Sequence, residues 1–133
     1  MLASAIMIPD PIVAAAGATS AEVAALMRSR NISVVPVIDG PKSRRYLGTV
    51  SDRDIVTQCV AMGHDPTECS AQDHMRTDTP VVTPSTELAG YELSKQLDAA
   101  DHHVRSTIVV IDKDRRVVGF IPHPEEIDGI VIA

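Results

Sequence analysis

The chain is nearly devoid of aromatic residues. Tyrosine and phenylalanine make up only 2% of its 133 residues, and tryptophan is absent. Because proteins that bind single-stranded nucleic acid stack bases on exposed rings, this scarcity argues against that function. It also predicts a core built from Val, Ile, Leu, Ala and Met.

Basic residues are also in the minority. Lys and Arg number 12 against 18 Asp and Glu, which gives a net charge of −6. This sign is opposite to that of a protein that neutralises many phosphates, so we expect no binding to duplex nucleic acid. No apolar stretch reaches the ~20 residues of a membrane-spanning helix, and the N-terminal segment lacks the basic start of a signal peptide. We therefore expect a cytoplasmic protein with no membrane partner.

Cysteine is limited to Cys59 and Cys69, which form neither a CxxC pair nor a disulfide framework. With His64 and His74 they lie at intervals of 5 residues, a spacing that matches no compact Cys/His zinc pattern. The sequence therefore predicts reduced thiols and no metal site.

What the chain does contain is an internal repeat. Three short segments each occur twice, in the same order and at nearly the same separation. The pairs are Val37-Ile38-Asp39 with Val110-Ile111-Asp112 (110 − 37 = 73), Leu47-Gly48 with Val118-Gly119 (119 − 48 = 71), and Pro11-Ile12-Val13 with Pro80-Val81-Val82 (80 − 11 = 69). This pattern indicates a duplicated unit, with repeat 1 over 1–68, a linker over 69–79 and repeat 2 over 80–133.

Each copy is predicted to have the order β-α-β-β-α. In the first copy, Thr19 and Glu22 form a capping-box pattern at the start of a helix. Apolar, β-branched runs predict buried strands. The predicted elements are strands over 33–38 and 46–50 and a helix from Ser51 to Gly63 in the first copy, and a helix over 88–100, strands over 107–111 and 117–121 and a short helix from Pro124 in the second.

Two segments of the first copy carry a family resemblance. They are Ile32–Asp39 and Leu47–Ile55, and the second contains Gly48-x-x-Ser51-x-x-Asp54 after a strand and at a helix start. With the repeat, they make the chain similar to a tandem pair of CBS domains, the Bateman module. The resemblance implies an α+β fold of two repeats packed sheet to sheet with pseudo-twofold symmetry.

The resemblance also implies a regulatory function. CBS pairs commonly bind AMP, ADP, ATP, S-adenosylmethionine or NAD in clefts between their repeats, and they usually form dimers. They act as sensors of small molecules and are not catalysts. We therefore expect a homodimer that binds an adenine nucleotide and acts on a separate target protein.

The segment from Ser51 to Asp54 offers suitable chemistry for such a ligand. A carboxylate at Asp54 can accept hydrogen bonds from both hydroxyls of a ribose, and Ser51 offers a hydroxyl. The helix start favours an anion, and Arg53 adds a cation for phosphate. The same Ser-x-x-Asp pattern is also an ordinary helix cap, and the two interpretations are compatible.

Five further residues are predicted at the site only because the resemblance places them there. In the family, the base of the bound nucleotide lies against strands, and one of these strands often comes from the other repeat. The residues are Thr49, Thr79, Pro80, Thr107 and Val109.

The second copy departs from the signature. Pro122 stands where the hydroxyl belongs, Glu125 stands where the aspartate belongs, and Phe120 can fill a base pocket. We therefore expect a weak or empty second site and one nucleotide per chain. The adjacent His102 and His103 are interpreted as the solvated end of a helix, and the alternative is a contact with phosphate in the opposite cleft.

Two other functions remain open. The degenerate second signature favours a nucleotide-free dimerisation or docking scaffold. A small enzyme is supported only by polar residues in an expected cleft, and no Gly-rich phosphate loop or catalytic set is evident.

Overall fold

A computed structural model of the chain describes residues 1–88 and 107–121. The helices are α1 (Ala3–Ile6), α2 (Ser20–Arg30), α3 (Asp52–Asp54), a π-helix (Ile55–Val60) and α4 (Ala71–His74). The strands are β1 (Ile8–Pro9), β2 (Ala14–Ala15), β3 (Val34–Ile38), β4 (Tyr46–Ser51), β5 (Val81–Val82), β6 (Ile108–Ile111) and β7 (Val117–Ile121). Short helices with two small sheets confirm the α+β class. The predicted helices over 88–100 and from Pro124 lie outside the described residues, apart from Leu88.

The chain divides into two compact units. The central unit comprises Ile12–Asp78, and the terminal unit comprises Met1–Pro11 together with Thr79–Ala133. The first 11 residues therefore belong with the later part of the chain, and most of the segment predicted as a linker belongs to the central unit. The repeat boundaries drawn from the sequence remain a prediction, since the spatial units follow a different division.

The central unit has a three-stranded sheet in the order β2-β3-β4. Strand β3 pairs in parallel with β2 and in antiparallel with β4, and all five of its residues are buried. Helix α2 packs on this sheet and buries Val23 and Met27. An isolated bridge between Thr49 and Arg76 continues the sheet beyond β4.

The terminal unit has a four-stranded sheet in the order β1-β7-β6-β5. Here β6 is parallel to β5 and antiparallel to β7, and β1 adds an antiparallel edge. The core cluster of this unit includes Ala3, Leu88, Ile108 and Ile121.

The strand registers confirm the duplication. The β3–β4 ladder shifts register between Val37 and Ile38, and the β6–β7 ladder shifts at the corresponding pair, Val110 and Ile111. Val37 pairs with Ala14, and Val110 pairs with Val82. Ala14 therefore corresponds to Val82, at an offset of 68 (82 − 14), one residue less than the sequence match indicated.

Local hydrogen bonds explain the helix start and the turns. Thr19 caps α2 by accepting a bond from the Glu22 N–H at 3.0 Å, as the sequence predicts. In the first hairpin, Asp39 accepts a bond from the Arg45 N–H at 3.0 Å. In the second hairpin, Asp112 accepts one from the Arg116 N–H at 2.9 Å. Both copies thus use an aspartate to close the same turn.

The segment after Ser51 differs from the predicted helix. Only Asp52–Asp54 is α-helical, and Ile55–Val60 forms a π-helix with bonds such as Ala61 N–H to the Val56 carbonyl at 2.8 Å. Three apolar residues of this segment are largely exposed: Val56, Val60 and Met62 are 57%, 55% and 65% exposed. The wider turn alters which side chains face the core, and this change is not evident from a 3.6-residue period. Gly63 has φ +77°, as expected for a residue that ends a helix.

Among the described residues, every helix is too short or too polar to cross a membrane.

The duplicated glycines of β4 and β7 provide a test of the packing. A Cβ added at Gly48 overlaps the backbone carbonyl of Arg76, whereas one added at Gly119 meets the flexible side chain of Met7. We expect Gly48→Ala to lower the free energy of unfolding by about 2–3 kcal/mol and Gly119→Ala by about 1 kcal/mol, because a backbone neighbour yields less than a side chain. Urea denaturation measures both. Gly40→Ala, where no atom lies within 4 Å, is the control. Equal losses of unfolding free energy in Gly48→Ala and Gly119→Ala would contradict this packing.

Candidate functional site

The predicted signature forms a reciprocal cap where β4 passes into α3. The Ser51 hydroxyl accepts a bond from the Asp54 N–H at 3.0 Å, and the Asp54 Oδ2 accepts one from the Ser51 N–H at 2.9 Å. Both residues are buried, Ser51 at 2% and Asp54 at 3% exposure. The capping interpretation of Ser-x-x-Asp is therefore confirmed, and the ribose hypothesis stays a prediction.

The second oxygen of Asp54 is bound by a residue that the sequence analysis missed. The Arg76 Nε donates to the Asp54 Oδ1 at 3.0 Å, and the Arg76 side chain is 30% exposed. Two backbone bonds between Arg76 and Thr49, at 2.9 and 2.7 Å, hold this segment against β4. The buried carboxylate is thus neutralised within the central unit.

The internal repeat could have predicted the position of Arg76. Met7 contacts the Gly119 position and Met75 contacts the Gly48 position, so the two methionines are equivalent at an offset of 68 (75 − 7). By the same offset, Arg76 corresponds to Ile8 of β1, which pairs with Phe120. Extending the repeat to residue 1 would have placed Arg76 beside the signature strand.

The Asp54 carboxylate can accept further hydrogen bonds. Within the described part of the chain, each Asp54 carboxylate oxygen accepts one bond. Because a carboxylate has about four acceptor positions, there is acceptor capacity for two vicinal hydroxyls. At 3% exposure, however, Asp54 meets a ribose only after some rearrangement around it.

The other predicted residues fall into two groups. Thr49 is buried in β4, and Arg53 is exposed in α3. Thr79, Pro80, Thr107 and Val109 belong to the terminal unit. There the Val109 N–H donates to the Pro80 carbonyl at 3.0 Å, and Thr107 is 5% exposed.

Part of the predicted second site lies beyond the structure. Pro122, Glu125, His102 and His103 are outside the described residues, so their roles remain predictions. Phe120 is half-buried in β7. A shallow surface depression of about 460 Å³ includes none of the predicted site residues. Its lining is Ala24, Ala25, Arg28 and Ser29.

A second group of reactive side chains gathers elsewhere in the central unit. The ligand atoms of Cys59, Cys69 and His74 all lie within 4.8 Å of one another. The ring of His64 stacks near that of His74, with centroids 6.0 Å apart. Burial, and then the neighbouring Cys59 thiol, raise the pKa of Cys69 to about 11. The prediction of no metal site rested on sequence spacing, and the fold brings together three of the four side chains that were considered.

Comparison with known proteins identifies the fold. A family model described as "CBS domain" matches residues 3–60. This chain has the fold of a CBS pair. None of the curated proteins matches it.

Three solved structures illustrate the similarity. Hypoxic Response Protein I, solved with two coordinated zinc ions, is 26% identical, with a TM-score of 0.75 over 92% of each chain. The putative acetoin utilization protein AcuB of Vibrio cholerae is 24% identical, with a TM-score of 0.77 over 92% of this chain and 84% of its own. A putative signal-transduction protein with CBS domains from Burkholderia ambifaria is 20% identical, with a TM-score of 0.72 over 92% and 88%.

The Asp54–Arg76 pair is expected to contribute to stability. Arg76→Ala leaves a buried carboxylate uncompensated, so we expect it to lower the free energy of unfolding by about 2–4 kcal/mol. Asp54→Ala also removes a helix cap. The double variant is expected to lose less unfolding free energy than the sum of the losses of the two single variants. Urea denaturation of the two single variants and the double variant measures the coupling.

A matched control exists within the same unit. Asp73 accepts a bond from the Ser70 N–H at 2.9 Å, as Asp54 does from Ser51, but it is exposed. Asp73→Ala is expected to cost about 1 kcal/mol. If the double variant loses the sum of the unfolding free energies lost by Asp54→Ala and Arg76→Ala, the ion pair does not stabilise the fold.

Proposed function

We propose that the protein is a regulatory CBS module that binds an adenosine-containing ligand at the β4–α3 junction. AMP, ADP and ATP are the leading ligands, and S-adenosylmethionine and NAD are further ones. The observation that carries the proposal is the buried Asp54 carboxylate at a strand-to-helix connection, capped by Ser51 and paired with Arg76. The CBS domain over 3–60 supports this choice, because CBS pairs commonly take adenosine ligands.

The ligand contacts follow from the chemistry of these side chains. The vicinal hydroxyls of a ribose donate to Asp54, and phosphate oxygens accept from the guanidinium of Arg76 or Arg53. Arg76 was not predicted from the sequence and is the structure's addition to the proposed site. As CBS pairs act as sensors, the function proposed for this module is to sense the ligand and not to convert it.

Binding is coupled to a change in the Asp54–Arg76 pair. Because Asp54 is 3% exposed and already bonded, the ligand replaces or shares the bond from Arg76. Arg76 lies two residues before Asp78, the last residue of the central unit. A ligand that binds better when the pair is open shifts the protein toward that state, and this differential affinity is the signal to a target protein.

The alternative function is a nucleotide-free scaffold. It is favoured by the fact that Arg76 already compensates Asp54, so no ligand is required for a stable site. It is also compatible with the exposed apolar group of Val56, Val60 and Met62.

Titration calorimetry with AMP, ADP, ATP, NAD and S-adenosylmethionine tests ligand binding. We expect at least one of them to bind, and Asp54→Asn to bind it roughly 10- to 100-fold more weakly, because hydrogen bonds to a charged acceptor are lost. Asp73→Asn, which alters the matched cap, is expected to bind as the wild type does. Circular dichroism confirms that each variant is folded.

Two outcomes would contradict the proposed site. Binding that is equally strong in Asp54→Asn would place the ligand elsewhere. Flat titrations of the folded wild type with every adenosine ligand would favour the scaffold.

We also propose that the exposed face of the π-helix is a homodimer contact. Val56, Val60 and Met62 are each more than half exposed, and burying them against a second copy removes apolar surface from water. Val60→Glu is therefore expected to convert a dimer to a monomer in sedimentation experiments. Gln58→Glu, an exposed position on the same helix, is the control and is expected to remain dimeric. A monomeric wild type, or a dimeric Val60→Glu, would contradict this interface.

A further inference from the structure

Two cysteines and a histidine meet in the central unit at a place that the proposed nucleotide site does not use. The sulfur atoms of Cys59 and Cys69 and a ring nitrogen of His74 lie within 4.8 Å of one another. Ligands of these types around a tetrahedral zinc ion lie ~3.5–4 Å apart, since Zn–S is ~2.3 Å and Zn–N ~2.0 Å. Adjustments of about 1 Å or less therefore complete the set.

The backbone holds the three side chains on different elements. Cys59 lies on the π-helix, where the His64 N–H donates to its carbonyl at 3.0 Å. The Cys69 carbonyl accepts a bond from the Ser20 N–H at 2.8 Å, which ties it to the start of α2. His74 is the last residue of α4. Because these elements belong to one compact unit, the arrangement is set by the fold and not by adjacency in the sequence.

The cluster is poorly satisfied by protein contacts. The His74 Nε2 is buried and has no hydrogen-bond partner within residues 1–88 and 107–121. Cys59 is fully buried, and its thiol makes a long contact of 3.8 Å with the His64 carbonyl and lies beside the Cys69 thiol. A buried polar nitrogen without a partner is costly, and a bound cation would remove that cost.

We propose that Cys59, Cys69 and His74 bind one zinc ion per chain. Thiolate and imidazole are ligands that zinc prefers, and carboxylate-binding ions such as Mg²⁺ and Ca²⁺ do not suit this set. Cys69 and His74 are partly exposed, so a water molecule supplies the fourth ligand. Binding converts both thiols to thiolates and releases their protons to solvent.

The ion links the π-helix to α4 and to the start of α2. His74 lies two residues before Arg76, whose side chain pairs with Asp54. Zinc therefore stabilises the segment that presents Arg76 to the signature. The metal site does not depend on nucleotide binding, and each is tested without the other.

Metal titrations of the full chain test the site. The protein is stripped with a chelator, kept reduced with a phosphine, and titrated with Zn²⁺ against a chromophoric competitor and with Co²⁺ by absorption. We expect one ion per chain. Bound Co²⁺ is expected to show thiolate charge-transfer absorption and the intense visible bands of a tetrahedral site. Zinc should raise the Tm of the wild type.

Variants identify the ligands. Cys69→Ser and His74→Ala are expected to lower zinc affinity by ~100-fold or more and to abolish the rise in Tm. His64→Ala removes the neighbouring, exposed imidazole and is the matched control, expected to bind within ~3-fold of the wild type.

Three results would overturn the proposal. They are a folded, reduced wild type that binds no stoichiometric zinc, a Co²⁺ spectrum without charge-transfer absorption, and unchanged affinity in Cys69→Ser or His74→Ala. The Co²⁺ spectrum of the wild type remains informative if either variant fails to fold.

Discussion

A charged carboxylate in a protein interior requires compensation, and the central unit is built around one. Asp54 is almost inaccessible to solvent, yet its two oxygens are bound by the Ser51 amide and the Arg76 guanidinium. Leaving such a group unpaired costs several kcal/mol, so the strand, the helix start and the segment with Arg76 have to stay together. The same three elements form the proposed ligand site, and any ligand that uses Asp54 acts on the contacts that hold them.

The duplication explains why Arg76 is in the right place. In the terminal unit, β1 pairs with β7, and in the central unit Arg76 makes the corresponding bridge to β4. The terminal sheet therefore includes β1, from the start of repeat 1, and the central sheet is continued by Arg76, from the segment before repeat 2. Most of the residues predicted as a linker thus belong to the central unit, where they form a short helix and an edge bridge.

Features determined by near neighbours in sequence were predictable. Strands β3 and β6 followed from β-branched apolar runs, and the Thr19 and Ser51 caps followed from the side chains three residues apart. The CBS resemblance followed from the signature and the repeat. The π-helix was not predictable, because Ile55–Val60 has no local pattern that favours a wider turn.

Contacts between distant residues required the fold. The even spacing of cysteines and histidines argued against a metal, but the separation along the chain says little about separation in space when a π-helix and α4 converge. Arg76 is 22 residues from Asp54, and only the repeat, extended to the N-terminus, linked them. Sequence reasoning thus identified the acceptor of the proposed site but not the cation beside it.

The central claim is that an adenosine ligand acts on the ion pair between Asp54 and Arg76. The most direct measurement is the 1H–15N resonance of the Arg76 Nε during titration with AMP, ADP and ATP, assigned with Arg76→Lys. The proposed function predicts a saturable shift of this resonance, with the same midpoint as calorimetric binding. A nucleotide that binds and leaves the resonance unchanged, or the absence of any nucleotide binding, would contradict it.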